Sequence, residues 1–134
     1  MNNNVAMQML SFNFTELVFE LNKAFVWPKA PISIDPIIEK KIKKIDKNKV
    51  EVSLFFRIED LEKKPFNCRV TLVGVFVCPN WESDEAGKIL VNLNTVNILF
   101  PYLRQAVTNL TTTAGVPPYV LPIINTQNIR NKEE

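Results

Sequence analysis

Two neighbouring stretches with an apolar residue or glycine at every second position constrain the fold of this chain more than any other feature. These positions are Val50, Val52, Leu54, Phe56 and Ile58 in the first stretch, and Phe66, Cys68, Val70, Leu72, Gly74 and Phe76 in the second. A period of two residues is typical of a strand with one buried face. Because only the polar segment 60–65 separates the stretches, we predict an antiparallel β-hairpin.

The second strand of this hairpin is apolar on its other face as well, through Val73, Val75 and Val77. A strand with two apolar faces usually lies in a sheet that is covered on both sides. We therefore expect a helix or another subunit to cover this second face.

Another strand is predicted between Leu10 and Leu21, where apolar residues again alternate. The three-residue step from Phe14 to Leu17 shifts the phase, so we expect a bulge or kink that exchanges the faces of this strand. The stretch that follows contains prolines at 28, 31 and 36, which prevent continuous pairing and indicate a connection.

The segment 37–49 fits two patterns. Ile38, Ile42 and Ile45 form a helical stripe, although β-branched isoleucines also suit a strand. Taken alone, the local pattern slightly favours a helix.

A helix is predicted after Thr95, a possible N-cap, because apolar residues recur there at intervals of three and four. Pro101 requires either that the helix begins near Phe100 or that it is kinked, and Gly115 and Pro117 end it. The apolar stripe consists of Val96, Leu99, Phe100, Leu103, Val107 and Leu110. The region 82–94 before it gives only a weak local signal.

The chain has the size of one globular domain, with 134 residues of which 46% are apolar. We assign 1–134 to a single domain and expect frayed ends over 1–7 and 126–134. The longest apolar run, from Leu72 to Cys78, is far too short to span a bilayer, and no secretion signal is recognised at the start. We expect a cytoplasmic protein that does not insert into membranes.

The side chains available for chemistry are few. Histidine is absent, glycine occurs three times, and Cys68 and Cys78 are the two cysteines, which we expect to be reduced and buried. The common general base, the His-paired nucleophiles and the glycine-rich phosphate loops are therefore excluded. We predict no catalytic residue, no metal site, no cofactor and no enzymatic activity.

One string within the predicted helix carries a resemblance to a known family. The residues from Asn97 to Arg104, NILFPYLR, resemble the opening of the long helix in the SecB export-chaperone family. The stretch from Phe66 to Phe76, with its cysteine and its Gly-x-Phe, is similar to the strand that precedes that helix in the family, and 118–125 is similar to the family's connector. The resemblance runs with weaker identity from about Phe12 to Ile129.

The resemblance implies an α+β fold, with a four-stranded antiparallel sheet packed with a long C-terminal helix. It makes 37–47 a strand, against the local helical pattern, and we follow it. It further implies a homo-oligomer, a dimer or a tetramer, that acts as an ATP-independent holdase: it binds unfolded preproteins and passes them to the SecA motor for translocation. SecB-like chaperones of toxin–antitoxin systems, each dedicated to one partner, are the alternative within this resemblance.

Glu16 and Glu20 match the two acidic positions on the first strand at which the family docks SecA. Asn67 and Arg69, however, stand where the family has an apolar and an acidic residue. The resemblance thus implies a SecA-docking pair at Glu16 and Glu20 only.

Aromatic side chains are candidates for a client-binding groove, since rings give large and weakly selective apolar contacts. The candidates are Phe12, Phe14, Phe19, Phe25, Trp27 and Trp81. For the oligomer interface, we expect the helix stripe to contribute Phe100, Leu103, Val107 and Leu110.

The lysine run 40–49 is interpreted as a solvated strand edge. A nucleic-acid-binding module, using these lysines with Phe55 or Tyr102 as stacking rings, is the alternative from a different class. The leading interpretation expects no nucleic acid among the partners.

Overall fold

The computed structural model describes residues 7–59, 62–122 and 124–132. Within them, five strands and two α-helices follow one another along the chain. They are β1 (Gln8–Leu21), β2 (Ile37–Lys44), β3 (Lys49–Ile58), β4 (Phe66–Val77), α1 (Glu85–Ile89), α2 (Thr95–Thr113) and β5 (Arg130–Asn131).

The strands form one sheet in the order β1-β4-β3-β2-β5. The pairs β1–β4, β4–β3 and β3–β2 are antiparallel, which confirms the predicted hairpin and the α+β fold. The expected four strands become five because the tail adds β5, which pairs in parallel with β2. Asp60 and Leu61, in the predicted turn between β3 and β4, lie outside the described residues.

The apolar alternation of β3 and β4 turns one sheet face toward α2. Leu54, Leu72 and Phe76 are fully buried there, and Leu99 and Leu103 of α2 complete the core from the other side. A Cβ placed on Gly74 would lie 2.9 Å from Leu99 Cδ2, so the missing side chain allows the helix to approach the sheet.

β1 contains the predicted bulge, but its consequence differs from our expectation. Phe14 pairs with Leu72 and Leu17 with Val70, with a register shift between Phe14 and Glu16. Because partners in β4 two residues apart share a face, the extra residue keeps Phe14 and Leu17 on the same face. The bulge therefore absorbs the extra residue between Phe14 and Leu17, and these two apolar residues of β1 stay on one face instead of changing faces.

The segment with two possible patterns is a strand, as the resemblance implied. Ile38 of β2 pairs with Phe56 and Ile42 with Val52, so both isoleucines extend the apolar face of β3. The helix that the local pattern slightly favoured is therefore wrong for this segment. Cross-strand packing outweighs that pattern because these β-branched residues lie opposite an apolar strand.

The helical run that contains α2 ends as predicted, but it begins earlier than predicted. Glu85 to Thr113 is helical throughout, with a π-helical turn at Leu90–Asn94 between α1 and α2, and Pro101 lies inside α2. Asp84 caps the start, since its side chain accepts a hydrogen bond from Gly87 N at 2.8 Å. Thr95 is buried inside this helical run and is not an N-cap; its hydroxyl donates to the carbonyl of Val91.

Burial corrects the predicted oligomer interface. Leu103 and Val107 have no exposed surface and Phe100 has 5%, because the chain's own sheet covers them. Our premise that a small sheet could not cover this stripe was wrong. Leu110 alone of the four is only partly buried, and it lies at the edge of the core.

The sheet face away from α2, called here the outer face, carries Val73 and Val75 beside polar residues of β1 and β3. No described element of this chain covers it, so the expected second cover stays a prediction for another subunit. Within 126–132, part of the tail for which we expect fraying, Ile129 is buried and β5 pairs with β2. Residues 1–6, 133 and 134 lie outside the described part.

Candidate functional site

Two proline-bearing connections face each other across an apolar cavity of about 450 Å³, called here the proline groove. One wall is the connection between β1 and β2, and the other is the segment that follows α2. It is lined by Trp27, Pro28, Lys29, Ala30, Pro31, Ile32, Ile34, Phe66, Pro117, Pro118 and Tyr119. Prolines restrict the backbone, so both walls lose little further freedom when a ligand binds.

Tyr119 anchors the second wall of the proline groove. Its backbone N–H donates to Thr111 Oγ1 at 3.0 Å, and its carbonyl accepts from Thr108 Oγ1 at 2.9 Å. Its hydroxyl donates to the carbonyl of Ile34 at 3.4 Å, which joins the two walls. Burial, with a smaller effect of Asp35, raises the pKa of this phenol, so it stays a neutral hydrogen-bond donor.

A second apolar cavity, the tail groove, continues along the same two segments with a volume of about 460 Å³. It is lined by Pro36, Ile38, Pro122, Ile124, Asn125, Asn128 and Ile129. Tyr119 and Ile34, which are in contact, both line the proline groove, and residues of the tail groove follow each of them in sequence. The two apolar cavities are similar in size, and the tail groove adds the side-chain amides of Asn125 and Asn128.

A third cavity, the strand–helix groove, lies between β1 and α2 and measures about 470 Å³. Phe12 packs on Tyr102 with ring centroids 4.5 Å apart, and Leu17 is 51% exposed at the rim. The lining residues are Phe12, Phe14, Leu17, Tyr102, Gln105, Ala106, Asn109, Leu110 and Thr113.

The predicted groove aromatics divide among these places. Phe12 and Phe14 line the strand–helix groove, and Trp27 lines the proline groove. Phe25 meets Trp27 edge to face at 5.4 Å, and Phe19 stacks at 4.9 Å on Phe66, which also lines the proline groove. Three of the six predicted aromatics therefore line two of the grooves, and Phe19 and Phe25 contact residues that line the proline groove.

Trp81 belongs to neither site. It follows the last residue of β4, whereas Phe66 is the first residue of that strand, so the length of β4 separates them. The Trp81 side chain packs on the core, and the Trp81 backbone lies so close to Gly87 that a Cβ there would meet Trp81 O at 2.3 Å. Trp81 lines none of the three apolar grooves described above, so its role at a client groove stays a prediction.

Glu16 and Glu20 lie on the outer face, on the edge strand β1, where Glu16 pairs with Thr71 and Glu20 with Asn67. Arg69 Nε lies 3.5 Å from Glu16 Oε2, and both side chains are roughly two-fifths exposed. The two carboxylates therefore share one face, and one of them already has a cationic neighbour.

The family model described as preprotein translocase subunit SecB matches residues 2–133 of this chain. This chain belongs to the SecB family. It is 37% identical to the protein-export protein SecB of Neisseria meningitidis serogroup B over 75 residues, 56% of this chain and 50% of that protein. It is 29% identical to the SecB of Orientia tsutsugamushi over 132 residues, 93% of this chain and 79% of that protein. The chain spans about half the length of the Neisseria relatives that it matches.

The fold also resembles a solved structure, that of a SecB-like chaperone from Mycobacterium tuberculosis in complex with a peptide of an antitoxin. The TM-score is 0.68 at 15% sequence identity, over 90% of this chain and 91% of that one. At this identity the likeness concerns the fold, which agrees with the SecB assignment.

The lysine run of this SecB-family chain is less uniform than its sequence indicates. Lys40 is only 7% exposed, and its ammonium donates to the carbonyl of Asn92, in the π-helical turn, at 2.9 Å. Burial lowers the pKa of Lys40 because the charged form loses solvation. Lys44 pairs with Glu82, so these two lysines tie β2 to the helical run and its approach.

The rings that the nucleic-acid alternative would use for stacking are occupied. Lys132 Nζ lies 4.0 Å from the centroid of Phe55, and the Tyr102 ring lies against Phe12. Bases could stack there only after these contacts were displaced. The SecB-like arrangement therefore does not favour that alternative.

Three further observations concern the described part of the SecB-family chain. None of its helices is long and apolar enough to cross a membrane. No group of three or more acidic or cysteine side chains in those ranges could hold a metal ion. Cys68 and Cys78 are free and buried, and burial raises the pKa of Cys68 to about 12.

The sequence analysis missed the wall that the segment after α2 contributes to the proline groove and to the tail groove. Tyr119, Pro122 and Ile129 were not named as site residues, because a proline-broken apolar stretch has no period that indicates a face. The signal that could have found them was composition, since 116–124 is apolar but cannot be a regular strand.

Proposed function

We propose that this protein is an ATP-independent holdase that binds extended apolar segments of unfolded preproteins destined for export. One observation carries the proposal: two apolar cavities, the proline groove and the tail groove, are lined mainly by residues of the stretch 27–38 and of the segment after α2. Membership of the SecB family supports it.

The proposed binding needs no chemical step. Apolar contact is non-directional, so a client is recognised by its exposed hydrophobic residues and not by one sequence. The partly exposed ring of Trp27 at the proline groove gives area, and the amides of Asn125 and Asn128 at the tail groove can pair with a client backbone. Unfolded chains expose both kinds of group at once, whereas folded proteins do not.

The test compares Trp27→Ala with Val26→Ala. Val26 is 85% exposed beside Trp27 and does not line a described groove, so its variant is the matched control. We expect Trp27→Ala to slow aggregation of several reduced, unfolded proteins clearly less than wild type does, without added nucleotide. Equal protection by Trp27→Ala and wild type would remove the proline groove from the proposal.

A chaperone dedicated to one partner is the second candidate, since the Mycobacterium tuberculosis SecB-like chaperone of similar fold was solved with an antitoxin peptide. On this alternative the same grooves bind one segment tightly and unrelated clients weakly. Failure to protect several unrelated proteins, with retained binding of one co-purifying segment, would favour it.

We further propose that β1 and the strand–helix groove form the oligomer interface. β1 is an edge strand paired only with β4 among the described strands, and Leu17 and Tyr102 expose apolar surface beside it. A second copy can pair with this edge and fill the groove. Such pairing would satisfy the unpaired backbone groups of β1 and cover the exposed apolar surface. Dimer and tetramer are both compatible with this edge.

The proposed place of action is the cytoplasm, where SecA would receive the client. Glu16 and Glu20 are the proposed contacts for a basic segment of SecA, because both lie on the outer face. Arg69 opposes such a partner, so we expect the interaction to be weak in this chain.

A further inference from the structure

A small polar cavity of about 250 Å³, called here the cationic cleft, lies where the tail strand β5 pairs with β2. Its lining consists of three cationic side chains, one carboxylate and one amide, which are Arg57, Arg130, Lys132, Glu39 and Asn131. Its lining is mostly charged, whereas the lining of the three grooves described above is mostly apolar. It also lies beside the outer face, on which Arg57 and Glu39 are placed by their strand positions.

Arg57 has donor capacity left for a ligand. Its Nη1 lies 3.6 Å from Glu39 Oε1 and its Nε 4.0 Å from Glu59 Oε2, both longer than a hydrogen bond. The Nε atom is buried without a hydrogen-bond partner in the described structure. A buried donor in this state gains free energy from an acceptor that reaches it.

A second guanidinium lies next to Arg57. In the β3–β4 ladder Arg57 pairs directly with Arg69, so two like charges stand side by side on the outer face. Directly opposed like charges in neighbouring strands destabilise a sheet, and an anion placed near both would relieve the repulsion. The acids that approach them, Glu16 and Glu39, lie on the flanking strands at 3.5 Å and 3.6 Å.

The tail holds its part of the cleft in place. Lys132 N donates to Lys40 O at 2.7 Å, Arg130 pairs with Glu39 across the ladder, and Ile129 is buried just before them. Lys132 is further fixed by its position over the Phe55 ring. The cations therefore come from ordered backbone, which lowers the entropy cost of binding.

We propose that the cationic cleft docks an acidic, extended segment of a partner protein, with one carboxylate in the cleft between Arg57 and Arg130. A second carboxylate two residues away would lie about 7 Å from the first and reach the neighbourhood of Arg69. Guanidinium groups bind carboxylates through paired hydrogen bonds, which gives such a segment orientation as well as attraction.

A nucleic acid fits this surface less well. Its backbone carries a charge at every nucleotide and would run over Glu16, Glu20 and Glu59 as it crossed the face, while a short acidic segment need not. The Phe55 ring, which could stack with a base, is covered by Lys132. The proposal does not depend on the holdase function, because the cleft is separate from the apolar grooves.

The probe is a short fluorescent peptide of alternating glutamate and glycine, compared with its lysine counterpart and with a labelled oligothymidine. The full chain with Arg57→Gln and Arg130→Gln is compared with a control carrying Lys23→Gln and Lys47→Gln, which removes the same charge elsewhere. We expect wild type and control to bind the acidic peptide at low salt within about twofold of each other. We expect the cleft variant to bind it about tenfold more weakly.

Lys132→Gln, an exposed change in the tail, tests the cleft without altering the central strands. This variant should bind the acidic peptide severalfold more weakly than wild type does, and its melting temperature should be unchanged. No binding of the acidic peptide by wild type, equal losses in control and cleft variants, or tighter binding of oligothymidine than of the peptide would each overturn the proposal. Aggregation suppression should persist in the cleft variant, so failure here is distinguishable from failure of the holdase proposal.

Discussion

Arg69 Nε lies 3.5 Å from Glu16 Oε2, across the β1–β4 ladder of the outer face. Glu16 is one of the two contacts proposed above for a basic segment of SecA. The arginine therefore stands beside the very carboxylate that a basic partner would use. Glu20, which pairs with Asn67, has no such neighbour among the ion pairs of the described residues.

This relationship predicts the effect of reversing the charge at Arg69. Arg69→Glu should tighten binding of a basic SecA tail peptide, by about fivefold at most, because an exposed ion pair contributes about 1 kcal/mol or less. Titration of the labelled tail peptide at low salt gives the dissociation constant. Lys47→Glu, with the same change of charge in the turn after β2, should have a smaller effect.

Glu16→Lys combined with Glu20→Lys should abolish any such binding. If neither change alters a measurable affinity, the docking surface does not lie at these residues. If wild type and Arg69→Glu both fail to bind, SecA is not the partner.

The burial of Leu103 predicts that its replacement damages the fold and not only an interface. Leu103→Asp buries a charge without a partner, at a cost of several kcal/mol, so the variant should unfold or melt far below wild type. Leu17→Asp changes an exposed residue on the rim of the strand–helix groove and leaves the core of the subunit intact, so it should lower the melting temperature far less than Leu103→Asp does.

Sedimentation separates the two variants further. Leu17→Asp should shift the protein toward monomer at micromolar concentration if β1 and its groove form the interface. A folded, fully oligomeric Leu17→Asp protein would contradict that interface, and a monomeric wild type would contradict self-association altogether.

The short distance between Gly74 and Leu99 predicts a packing defect. In Gly74→Ala the new Cβ would lie 2.9 Å from Leu99 Cδ2 and 3.0 Å from Phe76 Cε1, so the helix or its side chains must move. Overpacking of this kind costs about 1–3 kcal/mol of unfolding free energy. Chemical denaturation of both single variants and of the double variant with Leu99→Ala measures it.

The double variant should lose less stability than the sum of the single losses, because Leu99→Ala removes the atom that the new Cβ at position 74 would meet. Strict additivity would mean that the helix moves as a unit and that Leu99 does not limit the approach.

The burial of Cys68 predicts slow thiol chemistry. Its pKa is raised to about 12 from 9.0, so almost no thiolate exists near neutral pH. Alkylation of the native protein followed by mass spectrometry should leave Cys68 unmodified, while the unfolded protein reacts quickly. Since the folded state holds this proton more tightly, its contribution to stability should be lost as pH rises from 9 toward 12.

Rapid alkylation of Cys68 in the native protein, without loss of structure, would show that the strand opens locally. Cys68→Ala is the control, since the alkylation that remains in it must come from Cys78.

Much of the architecture could be predicted from the sequence because its signals are local. The alternation in β3 and β4, the stripe from Val96 to Leu110 and the stop at Gly115 each follow from the period or the backbone preference of the residues. The segment 37–44 could not be predicted in this way. Its isoleucines suit a helix or a strand, and the apolar face of β3 opposite them decides between the two.

Some residues of the candidate site could also be predicted from the sequence, and others could not. Phe12, Phe14 and Trp27 could be named in advance because large aromatic residues on a small domain seldom lack a binding or packing role. Tyr119 and Ile129 could not, since each joins a groove only after the chain has returned across the sheet edge. Trp81 packs partly on the core, and composition alone does not distinguish such a ring from one that lines a groove.

By itself, the sequence determined that this chain forms an antiparallel sheet with one long helix, that it contains no histidine and three glycines, and that it resembles the SecB family. Only the tertiary structure decided which residues have surface left to bind a partner. It buries Leu103 and Val107 under the sheet, and it places Arg57 beside Arg69. The physical reason is that exposure and charge neighbourhood depend on residues far apart in sequence, which no local period encodes.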